Sequence, residues 1–170
     1  MAFASLQSPP QEAPRPASFL GIGIIVGIVA AIELLSAAVG ASGVTTYPNV
    51  PIPEWTPPGW VFGAVWNALF ALMAVAASVV WLFRNEDDVY CPLTAFAIQL
   101  GLNLAWNIFF FGLQNPLLGF LTVCLLWVTA GMTVAQFFLV SRLAGWLMVP
   151  YWVWVTFVAA LNASILLLGG

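Results

Sequence analysis

Acid–base or nucleophilic catalysis needs histidine, paired acids or an activated nucleophile. This chain of 170 residues has no histidine, no lysine, two cysteines and six acidic residues. What recurs instead is indole and carboxamide. Gln99, Asn103, Trp106, Asn107 and Phe110 are spaced by three and four, so on a helix they share one face. Tyr151, Trp154, Val158 and Asn162 repeat the pattern after Pro150, and Trp66, Asn67, Phe70 and Met73 supply a third stripe. Thr122, Thr129, Thr133 and Gln136 supply a fourth. Indole rings stack on flat ligands and carboxamides fix orientation by hydrogen bonding, so the chemistry on offer is recognition. The alternative is that Gln99, Asn103 and Asn162 only tie helices together.

The elements that carry these stripes are membrane spans. With 63% hydrophobic and 5% charged residues, the chain lacks the roughly 25% of charged residues that a soluble domain uses to cover its surface. No basic patch exists to hold nucleic acid. Apolar runs long enough to cross about 30 Å of hydrocarbon occur at 19–41, 60–83, 92–111, 117–140 and 145–168, which predicts an all-α bundle of five transmembrane helices. Three short connections predict that helices two to five are successive antiparallel neighbours. The first connection, 42–59, is long, and such loops are usually functional. Residues 1–18, rich in proline and polar residues, read as a flexible tail. The first run is too long for a signal peptide, although Ala38-Val-Gly-Ala41 resembles a cleavage site. Arg15, Arg84 and Arg142 all fall on one side of five spans, which places the N-terminus in the cytoplasm and the C-terminus and first loop outside. Cys91 and Cys124 have neither disulfide context nor metal-site spacing.

Opposite the polar stripe of the third helix stand Ala97, Gly101 and Ala105, a small-residue face of the kind that packs closely in a bilayer and could make a homodimer. Trp55, Trp60, Trp81 and Trp146 lie near helix ends, where an interfacial belt is expected. Trp66, Trp106 and Trp154 lie roughly 9–21 Å along their helices, too deep for a belt, and favour a lined pocket. Thr56 and Pro57 read as an N-cap and first helical residue. Glu33 stands far inside the first span, where a carboxylate is costly. It could face a ligand or couple protons, or it could be neutral or paired with no chemical role. No second ionisable group in a span completes a relay. Gly23 and Gly27 read as a helix-packing pair.

Trp55-Thr-Pro-Pro-Gly-Trp-Val-Phe-Gly-Ala-Val-Trp66 resembles the W-x-P-P-x-W-V-F-x-x-x-W signature of the translocator protein family (TspO/MBR, tryptophan-rich sensory proteins). Gln99-Leu-Gly-Leu-Asn-Leu-Ala-Trp106 with Phe109-Phe-Phe-Gly112 resembles its third-helix block, and Pro150-Tyr-Trp-Val-Trp154 with Leu161-Asn162 its fifth. The resemblance runs from about residue 47 to 165, with the blocks in register on five helices. It implies a bundle, often dimeric, that binds porphyrins and other hydrophobic molecules in a pocket closed by the first loop. The site residues it implies are Trp55, Trp60, Phe62, Trp66, Asn103, Trp106, Trp154, Val158 and Asn162, to which the stripes add Gln99 and Tyr151. By the same resemblance Val158 stands where the family often has alanine, which would narrow the pocket. The chain ends Leu161-Asn-Ala-Ser-Ile-Leu-Leu-Leu-Gly-Gly170 without the tyrosine and basic residue of the sterol-recognition pattern.

The expected function is therefore a membrane receptor, transporter or sensor for a lipophilic ligand, with protoporphyrin IX or haem as the tetrapyrrole and no resident cofactor or metal. Light-dependent oxidative degradation of protoporphyrin IX is the enzymatic alternative, and a structural membrane partner without a ligand is the third. Ion-driven alternating access lacks both paired intramembrane charges and an inverted repeat.

Overall fold

The computed structural model describes residues 16–44, 52–85 and 88–168. The described residues form five long helices and one π-helical turn: α1 Pro16–Val44, α2 Gly59–Leu82, α3 Tyr90–Asn107, the turn Ile108–Gly112, α4 Pro116–Val140 and α5 Arg142–Leu168. All five are long and apolar enough to cross a bilayer. The tail expected at 1–18 falls outside the described residues except for 16–18, which belong to α1. Pro16 opens that helix, at a position where a missing N–H is no loss. Most of the first connection, 45–51, also lies outside them.

Helix ends follow local chemistry. Asn115 caps α4 by accepting the Leu118 N–H on Oδ1 at 3.0 Å, and Pro116 takes the first helical position. Ser141 alone separates α4 from α5: its extended backbone ends one helix, and its carbonyl accepts the Gly145 N–H that starts the next. The Thr56 cap is not realised. The Thr56 hydroxyl turns back to the Pro53 carbonyl at 2.7 Å, and α2 starts at Gly59 after Pro58. The two prolines cannot donate to a helix ladder, so they set the entry angle rather than lie within the helix.

Around the bundle the order is α1, α2, α5, α4, α3, with α3 closing against α1. Helices α3, α4 and α5 are successive neighbours, as their short connections require. α2 and α3 are not, because α5 packs against α2 and only sparse contacts join α2 to α3. The core is apolar, with Met73, Ala77, Val80, Leu100, Leu126, Met148 and Val155 all essentially inaccessible. Hydroxyl and amide donors in the spans bond the carbonyl one turn back, as at Ser78, Thr122, Thr133 and Ser164, so few donors are left open to hydrocarbon. α1 is the loosest wall: 11% of its membrane-crossing stretch is buried, against 33–39% for the other four. Gly23 and Gly27 meet no neighbouring atom. The helix packing expected of them falls instead to Gly21, whose missing side chain leaves room for the Trp81 indole.

Candidate functional site

The loose fit of α1 leaves a cavity of about 480 Å³ between α1, α2, α5 and the end of α3. It lies at the end of the bundle where the first connection returns to α2, and Ile52, Thr56 and Pro57 form part of its rim. Its aromatic walls are Phe62, Trp66, Phe70, Trp106, Phe110 and Phe111. Trp66 and Trp106 are 5.9 Å apart between ring centroids, and Trp106 stacks on Phe110 at 5.8 Å with an 18° interplanar angle. The π turn sets the last of these rings. Its wider coil is closed by the Leu113 N–H on the Ile108 carbonyl at 2.7 Å, and Phe110 and Phe111 stand edge to face at 4.9 Å. Such turns inside helices are frequent at functional sites.

Carboxamides cross-link α3 and α5, which carry two of the three motif blocks. The Trp106 indole N–H donates to Asn162 Oδ1 at 3.2 Å, while the Asn162 amide nitrogen donates to the Val158 carbonyl at 2.9 Å. Asn103 donates to the Tyr151 hydroxyl at 3.4 Å, and Asn107 donates to the Asn103 carbonyl at 3.0 Å. Asn103 Oδ1 stays without a partner among the described residues although it is buried and its residue lines the cavity. The amides therefore act as glue on their nitrogen side and offer an acceptor to whatever fills the space.

Six of the expected site residues line the cavity together: Phe62, Trp66, Asn103, Trp106, Val158 and Asn162. Five do not. Trp154 stands behind the wall, 5.3 Å from Phe62, 6.3 Å from Trp66 and stacked on Phe157 at 5.0 Å. Tyr151 is wholly buried beneath Asn103. Gln99 lies one turn deeper, with its amide nitrogen 3.6 Å from the Met73 sulfur. Trp55 packs edge-on to Phe157 at 5.6 Å and stays half exposed, while Trp60 is 77% exposed and points away from the bundle. The α4 stripe also departs from expectation: Thr122 and Thr133 are buried against neighbours and no α4 residue reaches the cavity.

α1 takes the place that the stripes assigned to α4. Glu33, Ser36 and Gly40, spaced by three and four, line the cavity from a helix whose overall pattern is nearly uniform in hydrophobicity. The spacing of Glu33 and Ser36 was the available signal, but one such pair in a 29-residue helix does not make a stripe by itself. The tryptophan pair Trp127 and Trp152 is a second feature that the expected site did not include. It faces outward between α4 and α5, with centroids 5.4 Å apart and the Trp127 N–H donating to the Thr156 hydroxyl at 2.8 Å. Ala97 and Gly101 also face outward, Ala105 is half-buried, and nothing approaches the Gly101 position within 4 Å.

By fold and site the chain is a multi-pass membrane protein built around an internal aromatic cavity. It belongs to the TspO/MBR family, whose family model matches residues 22–168. It is 41% identical over 141 residues to the tryptophan-rich protein TspO of Chlorobaculum tepidum, covering 78% of this chain and 89% of that one. It is 34% identical to the tryptophan-rich sensory protein of Cereibacter sphaeroides, over 68% of this chain and 72% of the relative. The human translocator protein is 36% identical over 75% of this chain and 76% of its own length. Family and relatives together support a membrane sensor or receptor role.

Proposed function

We propose that the protein is a receptor or carrier that binds a porphyrin, or a similarly flat lipophilic molecule, in the cavity rimmed by Ile52, Thr56 and Pro57. One observation carries the reading: indole and phenyl rings wall a space of about 480 Å³ that also holds a few fixed amides. That volume and lining fall within the range of small-molecule sites. Aromatic stacking supplies the affinity, and the Asn103 acceptor supplies orientation. Trp154 and Tyr151 hold the wall in place from behind, and Trp55 covers its outer edge. Arg84 and Arg142 lie at the opposite end of the bundle. With that end cytoplasmic, the cavity opens on the outer side of the membrane.

The test is titration of the detergent-purified protein with protoporphyrin IX in the dark, followed by tryptophan quenching, beside Trp66→Leu and Asn103→Leu variants of checked stability. Saturable quenching in the native protein, weakened about tenfold or more in both variants, is the expected result, since a lost stacking face or a lost acceptor in a desolvated site costs upwards of about 1.4 kcal/mol. Linear quenching indifferent to both substitutions would mean that the porphyrin only partitions into the micelle. Illuminating the saturated sample separates a carrier from an enzyme. Ligand recovered unchanged means binding, and light-dependent product lost with Trp66→Leu means photo-oxidation.

A further inference from the structure

The cavity wall that α1 provides is chemically unlike the others. Glu33 and Ser36 stand one turn apart on it, and Glu33 is the one charged residue among the described residues that line the cavity. Its carboxylate has neither a hydrogen-bond nor an ion-pair partner among them. The Ser36 hydroxyl is an independent second signal. It is 7% exposed, lines the same cavity and is unpartnered, although Ser78 and Ser164 in other spans bond the carbonyl one turn back. The described arginines, Arg84 and Arg142, lie at the other end of the bundle, so no cation among the described residues reaches Glu33. An unpaired carboxylate beside an unpaired hydroxyl in apolar surroundings costs free energy, which a bound group supplying N–H or ammonium donors would relieve.

We infer that Glu33 and Ser36 form an acidic subsite that selects, within the cavity, ligands presenting a basic or N–H-donating group and disfavours ligands presenting a carboxylate there. The inference rests on the cavity being a ligand site, as proposed above. It also fixes polarity: a tetrapyrrole with acidic side chains must turn those chains away from α1 and towards the rim.

The test is a charge series on one ring system. Protoporphyrin IX carries two carboxylates, its dimethyl ester none, and its bis-amide with ethylenediamine ends in two ammonium groups. Binding of all three is measured in the dark to the native protein, Glu33→Gln and Ser36→Ala. Affinity is expected to rise from diacid to diester to diamine. Glu33→Gln should shrink the diamine-to-diacid ratio by about tenfold or more, because like-charge contacts across a desolvated site cost at least that much. Ser36→Ala should weaken the diamine several-fold while leaving the unliganded protein equally or more stable, since it removes a buried hydroxyl that has no partner. Saturable binding with a ratio unchanged by Glu33→Gln, or a diacid that binds tighter than the diamine in the native protein, overturns the subsite and leaves the porphyrin reading intact. If none of the three saturates, the porphyrin reading itself fails and takes the subsite with it.

Discussion

Asn162 divides its amide between two helices. Its nitrogen is committed to the Val158 carbonyl of its own helix, and its oxygen accepts the Trp106 indole N–H from α3. Trp106 is 2% exposed, so without Asn162 its N–H has no water to turn to. Asn162→Leu is therefore expected to destabilise the bundle by about 1–2 kcal/mol, the range for an orphaned buried donor, tempered by the modest net strength of interhelical hydrogen bonds in bilayers. Unfolding in mixed micelles measures the loss. In the double variant with Trp106→Phe the cost of the Asn162 change should shrink, because no indole donor is left to orphan. An Asn162 cost that is the same in both backgrounds would show that the bond carries no energy. Asn162 and Asn103 were legible in the sequence, since each stands in a repeating stripe and a carboxamide in a span needs a partner. Glu33 was visible as an anomaly, but its direction was not, because that depends on how α1 turns against its neighbours.

Glycines on this bundle act as slots for rings from the neighbouring element. A side chain added at Gly119 of α4 would meet Phe110, whose ring atom Cδ2 would lie 2.7 Å from the new Cβ, and Gly145 and Gly21 are similarly filled by Phe138 and Trp81. Gly119 matters most, since Phe110 is a cavity wall seated by the π turn. Gly119→Val is expected to cost about 1–3 kcal/mol by overpacking and, by displacing Phe110, to weaken porphyrin binding. Gly27→Ala, with open space around it, should instead stabilise α1 by about 0.5–1 kcal/mol through helix propensity and leave binding alone. Thermal unfolding and dark titration of the two variants check both halves, and equal effects from both would sink the slot argument. The five spans could be read from apolar run length to within a few residues at each end. The π turn could not, because Phe109-Phe-Phe-Gly112 looks like ordinary helix until the chain must reach Asn115 through Gln114 at a φ of 52°. Nor could the ring order, since a short connection limits distance but does not decide whether α2 prefers α3 or α5. That choice is made by Trp66 and Phe62 packing against Tyr151 and Trp154 of α5.

At the scale of the whole molecule the inner and outer faces of α3 divide the work. Asn103 and Trp106 turn inward to the cavity, while Ala97 and Gly101 turn to the bilayer with nothing of the same chain against Gly101. Hydrophobic burial does not drive helices together in lipid, so association there depends on backbones approaching closely, which small residues spaced by four permit. We propose that two copies meet on this face. The prediction separates the two faces of one helix: Gly101→Leu should shift the protein from dimer to monomer in lipid nanodiscs or mild detergent, read by light scattering or mass photometry, while protoporphyrin IX binding per chain stays within about twofold, because a bulky side chain on the outer face touches no cavity wall. Asn103→Leu should do the reverse, losing the ligand and keeping the dimer. If Gly101→Leu abolished binding along with dimerisation, the cavity would need the second copy to hold its shape. The loosely packed α1, which meets α3 along the edge of this same face, would then be the wall that the partner braces.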